Sequence, residues 1–233
     1  MTKRFSAFDQ NDQGIIAAAF FGRPSIEFVR KNLRNSAVQA DAHRWQNLAN
    51  RFMTIITRCN SDSSEAARRI AIDLFVVEAL TDSRHGILTA ERSFPIDATK
   101  IANGSLDYLI SSIEYEGDII LFPSIVIEAK KKNGQMARAL WQLLAELARM
   151  YQDYGTAYQS MPQFLRGIVT DGRFWQFIEV DTVGGVVYQT DDLDIMNGTG
   201  NDINPSEHFP KVAAELCHWF GNYSQTTTSI FRT

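Results

Sequence analysis

The chain has 233 residues, of which 45% are hydrophobic and 21% charged, an ordinary balance for a globular protein. Its formal net charge of −4 excludes a strongly basic surface, so a nucleic-acid site would have to be a local basic patch. The two cysteines, Cys59 and Cys217, are too few for a disulfide framework and lack metal-ligand spacing, so we expect free thiols.

The first residues, MTKRFSAFDQNDQG, contain no apolar segment typical of a signal peptide. No apolar run in the chain reaches the roughly 18 residues that a membrane span needs. We therefore expect an intracellular protein, in the cytoplasm or nucleus, that has no membrane partner.

The first 60 residues predict a helical arm. Residues 15–21 (IIAAAFF) are compatible with a short helix or a capping segment. Residues 24–35 begin with proline and carry apolar side chains at helical spacing, and residues 41–59 repeat that spacing over a longer stretch. We expect residues 1–60 to form this arm, which binds partners or mediates a homodimer, and residues 61–233 to form the main domain.

The main domain begins with a predicted helix at 61–82. Its apolar stripe is expected to bury one helix face and consists of Ala66, Ile70, Phe75, Val77 and Leu80. A strand is predicted at 86–96, and two longer strands flank Glu116-Gly117, which is a hairpin signal.

The rest of the chain alternates in type. Residues 134–155 predict the clearest helix, and residues 164–180 predict two strands joined by a type I′ turn at Asp171-Gly172. An edge strand is predicted at 184–190, a loop at 191–207 and a helix at the C-terminal end. This order predicts an α/β domain with a mixed sheet flanked by helices.

Three residues of the hairpin have side chains that can bind a metal ion or activate a water molecule. Side chains alternate along a strand, so Val126, Glu128 and Lys130 share one face. Counting outward from the turn places Asp107 opposite residues 126–128, so that two carboxylates and one ammonium converge at one sheet end. Oxygen ligands of this kind suit Mg²⁺ or Mn²⁺, and the lysine is placed to steady or deprotonate a water molecule.

These residues resemble the motifs of the PD-(D/E)XK nuclease superfamily. Asp107, in GSLDY, stands at the first acidic position without the preceding proline, and Glu128-Ala129-Lys130 matches E-x-K. Together with QLLAEL and GIVTDGRFW, they look closest to restriction-type nuclease domains and to the nuclease-like domains of Crinkler-type effectors. The resemblance covers residues 61–180. It implies a restriction-endonuclease-like core of helix, three-stranded meander, helix and strand, with metal-dependent hydrolysis of DNA or RNA.

The resemblance also implies roles for further residues. A glutamine on the helix after E-x-K orients the site, and Gln142 fits this role better than Gln135. A glutamate of the first core helix adds a metal ligand, for which Glu65 is preferred to Glu78 or Glu91.

A basic patch next to the metal site would hold the nucleic-acid backbone without reading its sequence. Its expected members are Lys131, Lys132 and Arg138, with Arg68 and Arg69 as further members.

Each of these interpretations has an alternative. The E-x-K lysine and glutamate alone would make a weak surface ion pair, and a glutamate in a first helical turn is explained by the helix dipole. The whole domain is also compatible with a catalytically inactive interaction or nucleic-acid-binding protein on the same fold, such as an effector.

Overall fold

The structure, a computed structural model, describes residues 2–33, 42–59, 65–81, 86–116, 118–129, 136–157, 163–198 and 204–221. Within these ranges the helices are α1 (Gln13–Phe21), α2 (Ala42–Cys59), α3 (Glu65–Leu80), α4 (Met136–Ala157) and α5 (His208–Gly221), with 3₁₀ turns at Phe5–Ala7 and Gln10–Asp12. The strands are β1 (Lys3–Arg4), β2 (Glu27–Arg30), β3 (Gly86–Ala90), β4 (Ser93–Phe94), β5 (Ala102–Ser105), β6 (Tyr108–Glu116), β7 (Asp118–Ala129), β8 (Phe164–Thr170), β9 (Phe174–Asp181), β10 (Val186–Gln189), β11 (Leu193–Asp194), β12 (Met196–Asn197) and β13 (Asn204–Pro205).

The predicted mixed α/β architecture is confirmed. A path of strands in the order β2-β10-β9-β8-β7-β6-β3, with β11 paired to β9, makes an eight-stranded sheet. Strands β3, β6 and β7 are antiparallel neighbours, whereas β8 runs parallel to β7. A parallel pair needs a crossover connection, and α4 provides it between β7 and β8.

Helices cover both faces of this sheet. One apolar core cluster joins the sheet to α2, α3 and α5, and the other joins it to α1, α4 and the 3₁₀ turns. Ile125 and Ile127 belong to the first cluster and Val126 to the second, so the predicted alternation along β7 is confirmed. None of the helices that the structure describes is long and apolar enough to cross a membrane.

The N-terminal residues are not purely helical, and the predicted helix at 24–35 is wrong. Glu27–Arg30 is instead a strand, β2, which pairs in parallel with Val186–Gln189. Phe28 packs against the ring of Trp141 with centroids 5.5 Å apart, so tertiary pairing overrides the helical spacing. Strand β10 is consequently an inner strand and not the predicted edge. Of the two alternatives for residues 15–21, the structure shows the helix, and the predicted helix at 41–59 is confirmed from Ala42 onward. The predicted boundary at residue 60 lies outside the described residues.

Two local predictions also need correction. Glu91 is the only described non-glycine residue with positive φ, so the Asp171-Gly172 turn is not type I′, which needs positive φ at both positions. Asp171 Oδ1 instead accepts hydrogen bonds from the backbone N–H groups of Arg173 and Phe174 at 3.0 and 2.8 Å.

The predicted stripe of α3 is correct for Phe75, which is buried, and wrong for Ile70 and Val77. Ile70 and Val77 are 46% and 57% exposed. The buried residues of this helix are Ala71, Ile72, Phe75, Val76 and Ala79. The sequence of α3 is apolar over most of its circumference, so the period alone does not select the face that packs against α2 and α5.

The β6–β7 hairpin contains a register shift between Ile110 and Ser111. Ile110 pairs with Ile125, but Ser111 pairs with Pro123, which leaves Ser124 as an extra residue on β7. Proline has no N–H for the ladder and is tolerated at such bulges. Beyond the bulge, Tyr108 pairs with Ile127.

We expect Phe52→Ala to destabilise the whole protein, because Phe52 of α2 is fully buried against Phe75 of α3 and Phe209 of α5. The free energy of unfolding should fall by about 3–5 kcal/mol in urea titrations followed by circular dichroism. Thr54→Ala, on the exposed face of the same helix, is the matched control and should change it by less than about 0.5 kcal/mol. Equal effects of the two variants would mean that α2 does not belong to the main core.

Candidate active site

The end of the β6–β7 hairpin brings the two predicted acidic residues together. Asp107 directly precedes β6, and its Oδ2 atom accepts a hydrogen bond from the backbone N–H of Ala129 at 2.9 Å. Ala129 follows Glu128, so both carboxylates lie at the same end of adjacent strands. The register predicted from the turn is confirmed for these two residues.

Glu128 projects from the sheet toward helix α4. The side chain lies on the same face as Val126, which packs in the α4 core, and it is 1% exposed. Gly167 on the neighbouring strand β8 lets the helix come close, because a Cβ there would lie 2.7 Å from Leu143 Cδ2. The close packing of α4 on β8 therefore holds this part of the helix near Glu128.

Helix α4 adds two buried polar side chains at helical spacing. Gln142 is 8% exposed and Glu146 is fully buried. The Nε2 atom of Gln142 donates a hydrogen bond to Oε1 of Glu146 at 3.1 Å. Gln142 thus lies beside the acidic residues, as the resemblance implied, and it contacts them through Glu146.

Glu146 and Glu128 form a buried carboxyl pair. Burial raises the pKa of Glu146 well above its usual value, and the charge of Glu128 and a hydrogen bond with Glu128 raise it further. The hydrogen bond from Gln142 opposes this shift. Oε2 of Glu146 is buried and has no hydrogen-bond partner among the described residues. Burial and the charge of Glu128 thus favour the protonated form of Glu146.

An arginine from α3 contacts the other carboxylate. Nη2 of Arg69 donates to Oδ1 of Asp107 at 3.0 Å, and Nη1 lies 3.1 Å from Oε1 of Glu91. The backbone N–H of Glu91 also donates to the carbonyl oxygen of Asp107, at 3.1 Å. Glu91 has φ of 54°, a left-handed conformation that costs a non-glycine residue energy and is often found at functional sites. Arg69 therefore bridges Asp107 and Glu91 at this end of the sheet.

Several predicted site residues cannot be located in this geometry. Lys130, Lys131, Lys132 and Gln135 lie outside the described residues. Glu65 begins α3, but the structure does not describe its side chain. Their proposed roles remain predictions.

Two further candidates are located. Arg138 is exposed and donates a hydrogen bond to the carbonyl oxygen of Ser6 at 2.8 Å. Glu78 lies nine residues beyond Arg69 on α3, about 13 Å along the helix axis. Its carboxylate forms ion pairs with Arg44 and Arg51 of α2. Burial alone would raise the pKa of Glu78, but these two arginines lower it overall. Glu78 is therefore a structural residue and not a metal ligand.

Asp107 and Glu128 match the oxygen donors that Mg²⁺ prefers when it keeps several water ligands. Glu146 adds a third carboxyl group, buried next to Glu128. Among the described residues, however, no group of three or more His, Cys, Asp or Glu side chains is arranged to hold a metal ion. The donor set thus fits a two-carboxylate site, in which Asp107 also has an arginine partner.

The sequence reading did not identify Glu146 as part of the site. A glutamate four residues after Gln142 on the apolar face of α4 was the available signal, because i and i+4 side chains are neighbours on a helix. Arg69 was considered only as a member of a basic patch. Its contact with Asp107 depends on how α3 packs, which the spacing of residues does not reveal.

We expect Glu146→Gln to remove a pH dependence of stability. Because the folded pKa of Glu146 lies above its ordinary 4.5, the unfolded chain releases this proton first as pH rises. This contribution to stability is thus complete below pH 4.5 and is lost as pH rises toward the folded pKa, at up to about 1.4 kcal/mol per pH unit. In the glutamine variant, the free energy of unfolding measured by urea titration should change less with pH between pH 5 and 8.

Glu207→Gln is the control for this measurement, because Glu207 is an exposed residue of an i, i+4 ion pair with Lys211. That variant should keep the wild-type pH dependence. An unchanged slope in Glu146→Gln would mean that Glu146 is ionised in the folded protein.

Comparisons with known proteins do not place the chain in a family. No protein-family model matches the sequence, and no curated protein is significantly similar to it. The functional conclusion therefore depends on the geometry and chemistry of the site.

Proposed function

We propose that this protein is a metal-dependent nuclease that hydrolyses phosphodiester bonds of DNA or RNA. The observation that carries the proposal is the convergence of Asp107 and Glu128 at one end of adjacent strands, under a helix that contributes Gln142. The element order supports it. Helix α3, antiparallel strands β3, β6 and β7, helix α4 and parallel strand β8 follow one another as in a restriction-endonuclease-like core.

Each residue then has a role in the reaction. Asp107 and Glu128 would hold Mg²⁺ or Mn²⁺, with Glu65 as a third ligand. The bound ion would offset the negative charge that develops on the phosphate in the transition state. Lys130, which alternation places on the same strand face as Glu128, would position the attacking water and assist its deprotonation.

The buried polar residues of α4 would position the Glu128 carboxylate and would not react themselves. Gln142 donates a hydrogen bond to Glu146, which lies against Glu128, so this chain of contacts would hold the Glu128 carboxylate in one orientation. Lys131, Lys132 and Arg138 would contact the phosphate backbone around the reacting group. DNA is the preferred substrate in this proposal, because restriction-type domains, one of the two groups that the motifs resemble, act on DNA.

A second candidate is a catalytically inactive nuclease-fold protein that binds nucleic acid or a protein partner, as an effector would. The ion pair between Arg69 and Asp107 favours this candidate, because the guanidinium already neutralises a carboxylate that a metal would need. Metal binding separates the two candidates. In both, a homodimer formed through residues 1–60 is a further proposal.

We expect wild-type protein to cut plasmid DNA, linear DNA or RNA with Mg²⁺ or Mn²⁺ and not with EDTA. Lys130→Ala should lower the rate by at least about 100-fold, because it removes the group that activates water. Lys211→Ala, an equal charge change on the outer face of α5, is the matched control and should leave the rate unchanged. Cleavage by Lys130→Ala at the wild-type rate would remove Lys130 from the mechanism.

We also expect Mn²⁺ to raise the melting temperature of the wild type by mass action, with about 2.7 kcal/mol of added stability at one hundred times Kd. Asp107→Asn should abolish this gain because it removes a ligand charge. Asp191→Asn, at an exposed carboxylate paired with Arg30, should retain it. A wild type that shows neither a melting shift nor cleavage would favour the inactive candidate.

A further inference from the structure

A polar cavity of about 450 Å³ adjoins the candidate active site. Its polar lining consists of Arg4, Ser6, Ser93, Asn103, Ser105 and Gln142. Gln142 is the residue that links the two places, since it lines the cavity and also donates a hydrogen bond to Glu146. A volume of this size is within the range of small-molecule sites.

The cavity is built by elements at the N-terminal end of the chain and by the segment between β3 and β6. Strand β1 pairs in parallel with β5, which places Arg4 beside Asn103. Strand β4 pairs with the other side of β5, and the hydroxyls of Ser93 and Ser105 lie 2.9 Å apart. Gly104 has φ of 138°, and a Cβ there would lie 2.9 Å from the ring of Phe5. The cavity wall therefore depends on close packing of the first 3₁₀ turn on β5.

The charge of the lining favours an anion. None of its described residues is acidic, although the chain as a whole carries 27 acidic residues. Arg4 is exposed and forms no ion pair with a residue that the structure describes. Arg138 donates a hydrogen bond to the carbonyl oxygen of Ser6, which is a lining residue. A second cavity, next to the start of α4, is lined by Asp191 and Asp192 as well as by Arg30, so its lining does contain acidic residues.

One wall of the cavity is apolar. It is formed by Phe94, Pro95 and Ile96, of which Ile96 is 82% exposed. The lining thus combines hydroxyl, amide and guanidinium groups with apolar side chains. A nucleotide has both surfaces, a charged phosphate with a polar sugar and a flat apolar base face.

We propose that this cavity binds the nucleotide next to the phosphodiester that is cut, a proposal that depends on the proposed nuclease function. Arg4 and the serine hydroxyls contact the phosphate and sugar, and the base packs against Ile96 and its neighbours. A base that enters the cavity cannot remain in a base pair. The substrate at this position is therefore a single strand or an unpaired strand end.

The test is the binding of a fluorescein-labelled 12-nucleotide single-stranded DNA, measured by anisotropy in EDTA so that no strand is cut. Arg4→Gln and Ile96→Ser should each weaken binding at least fivefold. Arg4→Gln should also lower the slope of log K against log salt by about 0.7. Arg23→Gln, at an exposed arginine outside the cavity, is the matched control and should bind within twofold of wild type. All variants should keep the wild-type melting temperature.

The outcomes separate this proposal from the proposed function. If Arg4→Gln binds as tightly as Arg23→Gln, the cavity is not the nucleotide site, even if the wild type cuts DNA. If both cavity variants weaken binding while the wild type cuts nothing, the cavity is a nucleotide site and the proposal that the protein hydrolyses phosphodiester bonds is wrong. If a blunt duplex of the same sequence competes as well as the single strand, the inference of an unpaired base is overturned.

Discussion

The parallel pairing of β7 with β8 is the constraint on which the candidate site depends. Two sequential parallel strands require a crossover, and in this chain the crossover is the long helix α4. The helix must then lie across the same sheet face to which Glu128 projects. Gly167 removes the one side chain that would keep the helix away from β8. The polar residues of α4 therefore meet Glu128 in a place from which water is largely excluded.

Exclusion of water gives the site its electrostatic character. A carboxyl group with no exposure cannot ionise easily beside a second carboxylate, so the pKa of Glu146 is raised well above its usual value. Asp107 lies nearer to solvent and has a cationic partner, Arg69. The two carboxyl groups of one site thus have opposite surroundings: burial disfavours the charge of Glu146, and an arginine favours the charge of Asp107.

The sequence predicts the parts of the site that depend on local order. Counting from the turn at Glu116-Gly117 predicts that Asp107 and Glu128 lie near the same sheet end, and they do. The exact register depends on the bulge at Ser124, which that count does not include. Gln142 is a candidate through the family resemblance, and the structure places it beside Glu146. The contacts of Arg69 and Glu146 in the site depend on how α3 and α4 pack against the sheet. That packing is set by tertiary contacts and cannot be derived from the spacing of residues in the sequence. The strand at Glu27–Arg30 shows the same limit, because its helical spacing is overridden by an available partner in β10.

The bulge at Ser124 has a consequence for how the hairpin tolerates change in length. Without the bulge, the ladder that begins at the turn would place Asp107 opposite Ile127, whose side chain projects to the opposite face from Glu128. The extra residue absorbs this offset, so the far half of the hairpin and its acidic end are aligned independently. Adding or removing one residue in each strand between the turn and the bulge would therefore leave Asp107 and Glu128 at the same sheet end.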